Sequence, residues 1–282
     1  MASNDLIINK IRQGPWLYFL FTYAWSWSLW IPAALLGRNI FDFPYFLLLG
    51  LGGLGPFIVS ILLTYFREDR DVWRDFWVRV IDVKRIGFVW LVVTILMAPV
   101  VCGLGILTGI LVNGVFPSFA TAIEFLSDPV GFIFYLFFVF IYGPLPEEFG
   151  WRGYALDRLQ KKWNALISSI ILGLLWALWH WPMFFMVGTY QSGEQALGSM
   201  RFWIDYCVGI IANTILMTWI YNNTRRSTLS AILYHFMMNF TGEFLNLIDI
   251  YHYYKVLWTV IFVIVVIIIY KPKHLSRSPI QT

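Results

Sequence analysis

Eight long apolar runs constrain this chain more than any other feature. They cover residues 16–37, 44–66, 87–113, 129–146, 164–187, 203–221, 228–247 and 254–270. Each is near or above the ~17–25 residues that a helix needs to cross hydrocarbon. In lipid, backbone polar groups must be satisfied inside the structure, which favours helices for runs of this kind. The expected fold is all-α: a polytopic membrane bundle of about eight transmembrane helices. No repeat, low-complexity tract or long linker divides it, so residues 1–282 read as one integral membrane domain. Only 13% of residues are charged, against roughly 25% in soluble domains, which sets a soluble enzyme aside. Aromatic residues make up 20% of the chain, as interfacial rings require.

The positive charges fix an orientation. Of the 20 lysines and arginines, all but Arg38, Arg201 and Lys255 fall in alternate segments between the runs. The positive-inside rule then places both termini in the cytoplasm. The basic balance is thus a matter of topology, and no nucleic-acid partner is expected. Lys10 and Arg12 precede the first run, which is read as a membrane span rather than a cleaved signal. Residues 67–86 mix Arg, Asp and Trp with apolar residues and are expected to lie along the cytoplasmic interface. Pro144 and Pro146 disturb the end of the fourth run, where the helix continues or restarts toward Gln160.

Ionisable groups beside or inside apolar spans need a structural or chemical reason. Glu147-Glu148-Phe149-Gly150-Trp151-Arg152 supplies three of them. On a helix Glu148 and Arg152 share a face at i and i+4. Glu147 points about 100° away and is left to act as a base. His180 sits among Leu, Trp and Ala, just before Pro182. His235 and Asn239, again i and i+4, can aim two donors at one oxygen, as an oxyanion hole requires. Each feature also has a plainer reading: a solvated helix end for the acids, and interhelical hydrogen bonding for His180 and for the His235–Asn239 pair. Glu243 continues the His235 face without an assigned role. His252, in an expected outer loop, and His274, in a basic tail, read as solvated or interfacial.

Other chemistries lack their residues. There is no His-Glu-x-x-His, no Gly-x-Ser-x-Gly, no paired intramembrane aspartates and no phosphate loop. Cys102 and Cys207 give no disulfide framework. Asp205 stands alone near an outer boundary. The glycines of Gly50–Pro56 fit close helix packing.

Three motifs in order on successive apolar helices resemble one family. They are Glu147-Glu148-x-x-x-Arg152, Trp176-x-x-x-His180 and His235-x-x-x-Asn239. The chain resembles the CAAX-processing and bacteriocin-processing (CPBP, or Abi) intramembrane proteases over about residues 130–245. Trp176 stands where that family often carries Phe. The resemblance implies that Glu147 and His180 activate water, that His235 and Asn239 stabilise the oxyanion, and that Glu148 and Arg152 support the first motif. It implies an endopeptidase cutting near the cytoplasmic face of the membrane. The substrate would be membrane-associated: a prenylated protein or a peptide precursor, in contact with lipid. On the glutamate-and-water reading no cofactor is required; Glu147, His180 and His235 are the set that would ligate zinc. Two other classes compete: a non-catalytic immunity or scaffold protein of the same family, and a proton-coupled transporter using Glu147, His180 and His235. At ~1.5 Å per residue, His180 lies about 24 Å into its run and His235 only about 10 Å into its own. Glu147 falls at a cytoplasmic end unless the fourth helix runs on to Gln160. One common site therefore requires helix starts that differ from the run boundaries.

Overall fold

The computed structural model describes residues 14–196, 200–246 and 249–277. Lys10 and Arg12 lie outside the described residues, as do the side chains of Arg201 and Asp205. All eight apolar runs are helical, and no strand occurs among the described residues. In chain order the long helices are α1 (Trp16–Leu36), α2 (Tyr45–Gly53) and α3 (Gly55–Arg67), α4 (Arg70–Ile81), and α5 (Phe88–Asn113). After the short α6 (Ala120–Ser127) come α7 (Pro129–Tyr142), α8 (Pro144–Gly150), a π-helical turn at Trp151–Leu156 and α9 (Asp157–Gln160). Then follow α10 (Ala165–Trp179), the short α11 (Tyr190–Ala196), α12 (Met200–Asn223), α13 (Thr228–Leu245) and α14 (Asp249–Tyr270).

Six of these segments are long and apolar enough to cross a membrane: α1, α2–α3, α5, α7–α9, α10 with its 3₁₀ extension, and most of α14. The protein is an integral membrane protein. The other two expected spans are α12, of which some residues lie outside the described set, and α13, which falls short of that composition because it carries His235, Asn239 and Glu243. Such residues belong on helices that face the bundle interior.

The glycines of Gly50–Pro56 serve close packing, as expected. A methyl at Gly52 would run into the Trp30 indole, and one at Gly55 into Ser26. The break between α2 and α3 exposes carbonyls that α1 satisfies. Trp25 Nε1 donates to Leu51 O (2.8 Å), Ser26 Oγ to Gly52 O (2.7 Å) and Trp30 Nε1 to Leu49 O (3.0 Å). Within a membrane an interrupted helix persists only where neighbours supply such partners.

The amphipathic segment 67–86 is tied into the bundle by buried contacts. Asp69 caps α4 by accepting from Asp71 N and Val72 N, which satisfies two orphan donors. Phe76 and Arg79 on its inner face are buried. Arg79 Nη1 donates to Asp157 Oδ2 (2.9 Å) and to the Tyr221 hydroxyl (2.7 Å), and Nη2 donates to Gly153 O (3.0 Å). Asp157 also pairs with Arg226. A carbonyl of the π turn thus finds its donor on α4, on the far side of the sequence.

Candidate active site

The fourth membrane segment decides where the acids sit. α7 ends at Gly143, and Pro144 at the first turn restarts the helix, a position where its missing N–H is harmless. The restarted helix continues through the π turn to Gln160, so Glu147 lies well inside the segment. From Gln160 back to Glu147 is about 20 Å at ~1.5 Å per residue. His180 lies about 22 Å from Ala165 on the same scale. The two therefore reach one level from the same side. His235 joins them because α13 starts deep in the structure: Thr224, Ser227, Thr228 and Ser230 are all buried. Its first turn is capped inside the protein by Ser227, which accepts from Ser230 N. The mismatch in depth came from a helix start buried beneath α4.

Glu147 and Glu148 separate as the helical spacing requires. Glu148 is fully buried, and both of its oxygens accept from Arg152 Nη1 at 2.8 Å. Its Oε1 also lies 2.9 Å from His235 Nδ1. An ionised carboxylate only accepts, so Nδ1 carries the proton and Nε2 is directed elsewhere. The spacing of the sequence identified the arginine partner but gave no sign of the histidine, which is distant in the chain. Glu147 instead lines a cavity of about 890 Å³ together with His180, His235, Asn239, Trp176 and Gly143.

Trp176 ties the first two motifs together. Its indole Nε1 donates to Glu147 Oε2 at 2.6 Å, while Trp151 Nε1 is a longer 3.4 Å from the same oxygen. Its backbone carbonyl faces His180 Nδ1 at 2.9 Å. A carbonyl only accepts, so the neutral His180 ring holds its proton on Nδ1 and presents a lone pair at Nε2. The Trp176 ring also stands edge-on to His235 (centroids 5.1 Å apart) and packs 5.0 Å from the Arg152 guanidinium carbon. A phenylalanine there would keep the packing and lose the donor.

α10 can end at His180 inside the bundle because α1 meets its last carbonyls. Trp27 Nε1 donates to Trp179 O (2.9 Å), and the Tyr23 hydroxyl donates to Leu175 O. Trp179 Nε1 is fixed in turn by Ser26 Oγ at 2.8 Å. Helix ends leave such groups unsatisfied, and in a membrane they must find partners.

Asn239 faces Glu147 across the break at Gly143. A methyl on Gly143 would sit 3.4 Å from Asn239 Nδ2 and 3.7 Å from Glu147 Oε1. Glycine at this position leaves room between the acid and the amide. Among the described residues, no three or more His, Cys, Asp or Glu side chains are arranged to hold a metal ion. The cavity also reaches Glu243, which accepts from the Tyr135 hydroxyl at 3.1 Å. It reaches His252 and Lys255 as well. The expectation of an outer loop at His252 is corrected: α14 begins at Asp249, earlier than the eighth run, and places the half-buried His252 in the cavity lining.

Residues 129–241 match the family described as Type II CAAX prenyl endopeptidase Rce1-like. A curated relative from Methanococcus maripaludis, CAAX prenyl protease 2, is 31% identical over 242 residues. That alignment covers 85% of this chain and 88% of the relative.

Proposed function

The chain belongs to the Rce1-like family of type II CAAX prenyl endopeptidases, and from that premise we propose how its cavity hydrolyses a peptide bond. It is a CAAX-type intramembrane protease, and the reading of its residues rests above all on Trp176. That one residue holds the Glu147 carboxylate with its side chain and the His180 ring with its carbonyl. A water between Glu147 and His180 Nε2 is then aligned for attack. Glu147 takes one proton as general base while the water oxygen bonds to the scissile carbonyl carbon. The carbonyl oxygen becomes an oxyanion that accepts from Asn239 Nδ2 and His235 Nε2, which face it from α13. For Nε2 to donate, the ring carries both protons, and Glu148 compensates that charge through Nδ1. When the intermediate collapses, the C–N bond breaks and the proton held by Glu147 passes to the leaving amine. Glu148 and Arg152 act as positioning residues. No step passes through a metal.

The substrate in this reading is a membrane-associated chain, either a prenylated protein ending in C-a-a-X or a peptide precursor, entering from the cytoplasmic side. The charge pattern supports cytoplasmic placement of the start of α1 and the end of α14. Residues 1–282 act as one membrane domain, with the protease core at 130–245.

The test is cleavage of a prenylated C-a-a-X peptide, followed by mass spectrometry of the products. Glu147→Ala and His180→Ala should each abolish cleavage while the protein still inserts and accumulates. Full cleavage by Glu147→Ala would overturn the reading.

A further inference from the structure

Lys255 is the only lysine or arginine among the described residues that line the cavity. It sits on α14 within an apolar span, where an ionisable residue is by default a mark of function. His252 precedes it by three residues, so both occupy one face of the helix, and both line the same cavity as Glu147. The Tyr234 hydroxyl donates to Asn213 Oδ1 on α12 at 2.8 Å, which marks the level of the neighbouring His235. Four residues earlier on α12, a methyl at Gly209 would meet Val256 Cγ2, beside Lys255, at 3.7 Å. Four residues of helix rise about 6 Å. Lys255 therefore lies about one turn from the level of His235, away from the start of α13 and along the cavity. The α5 side agrees: Gly105 packs against the Lys255 backbone, and Cys102, one turn below it, lines the cavity.

A C-a-a-X chain ends three residues beyond its cysteine in a free carboxylate. Three extended residues span at most ~10 Å, a distance compatible with the axial offset. We propose that Lys255, assisted by His252, is the subsite for the C-terminal carboxylate of the substrate. The proposal rests on the endopeptidase reading and specifies what the enzyme measures: the distance from the scissile bond to the chain end. Glu243 of α13, which also lines the cavity, accepts from the Tyr135 hydroxyl of α7.

The experiment uses the full chain and two prenylated C-a-a-X peptides that differ only in ending as free acid or as carboxamide. The wild type should cleave the acid about ten- to a hundredfold more efficiently in kcat/KM, the range of one charge-assisted hydrogen bond. Lys255→Met should bring the acid down to the level of the amide, and Lys255→Arg should restore most of the preference. Equal use of both peptides by the wild type overturns the subsite without recourse to any variant. So does an acid preference that survives Lys255→Met. Binding of the two peptides to Glu147→Gln, with and without Lys255→Met, reads the subsite without turnover. A Lys255-dependent acid preference in binding, with no cleavage by the wild type, sinks the endopeptidase reading and keeps the subsite. Equal binding of acid and amide sinks the subsite. The pair also separates a carboxylate on the peptide from a bulk anion, which would ignore the difference.

Discussion

Replacing Arg152 by Met tests whether the second acid is structural. Glu148 and Arg152 are each 0% exposed and share two contacts of 2.8 Å. Removing the guanidinium leaves a buried carboxylate with His235 Nδ1 as its remaining hydrogen-bond partner. Breaking a buried pair in this way costs about 3–5 kcal/mol, a large share of a total stability of about 5–15 kcal/mol. For a chain of this size the melting temperature should fall by roughly 6–20 °C, at ~2–4 °C per kcal/mol. The double variant Glu148→Gln/Arg152→Met should recover most of that loss. It removes both charges, and the side-chain oxygen of the introduced glutamine would still accept from His235 Nδ1. The pair is expendable in this sense because it is incompletely satisfied: Arg152 Nε and Nη2 have no hydrogen-bond partner among the described residues. Thermal unfolding in detergent, read by tryptophan fluorescence, gives the four corners of the cycle. Turnover per folded molecule is measured alongside. A single variant as stable as the wild type, or a double variant no better than the single, refutes the electrostatic argument. Normal yield with lost turnover would instead assign Arg152 a direct catalytic role.

Three shorter tests follow. Trp176→Phe keeps the ring and deletes the 2.6 Å bond to Glu147; kcat should fall about 10- to 100-fold, the worth of a charge-assisted bond, with little change in melting temperature, and an unaltered kcat would remove Trp176 from the mechanism. Arg79→Met should loosen α4 from the π turn, seen as faster amide exchange over residues 70–81 and a melting point lower by several degrees; unchanged exchange would show that the Arg79–Asp157 contact holds nothing in place. Prolonged treatment with a chelator should leave cleavage intact, and loss of activity that added zinc restores would overturn the metal-free mechanism.

Much of this was legible in the residues because membranes simplify the problem. Apolar runs marked the long apolar helices, and i,i+4 spacing separated Glu148 from Glu147. Tertiary contacts were hidden. Nothing local joins Glu148 to His235, 87 residues away, or Trp176 to Glu147, 29 residues away. Hydropathy also measures runs rather than depth, so it could not see that α13 begins beneath α4. Arg79 looked like a topogenic charge because its partners, Asp157 and Tyr221, lie on other helices. Lys255 looked like an outer-side charge because the eighth run begins only one residue before it, whereas α14 begins at Asp249.

The π turn at Trp151–Leu156 bears on what lengths of chain this fold can accept. A π turn holds one residue more than an α-helix would over the same stretch, which rotates everything after it by about 100°. Asp157 thereby faces Arg79 and Tyr221 while Glu147 still faces the cavity. A single-residue deletion between 151 and 156 that let the turn relax to α geometry would remove the extra residue and leave Asp157 in phase with its arginine. A single-residue insertion has no such compensation and would turn Asp157 away by about 100°. Insertions in this segment should therefore be tolerated far less than single deletions.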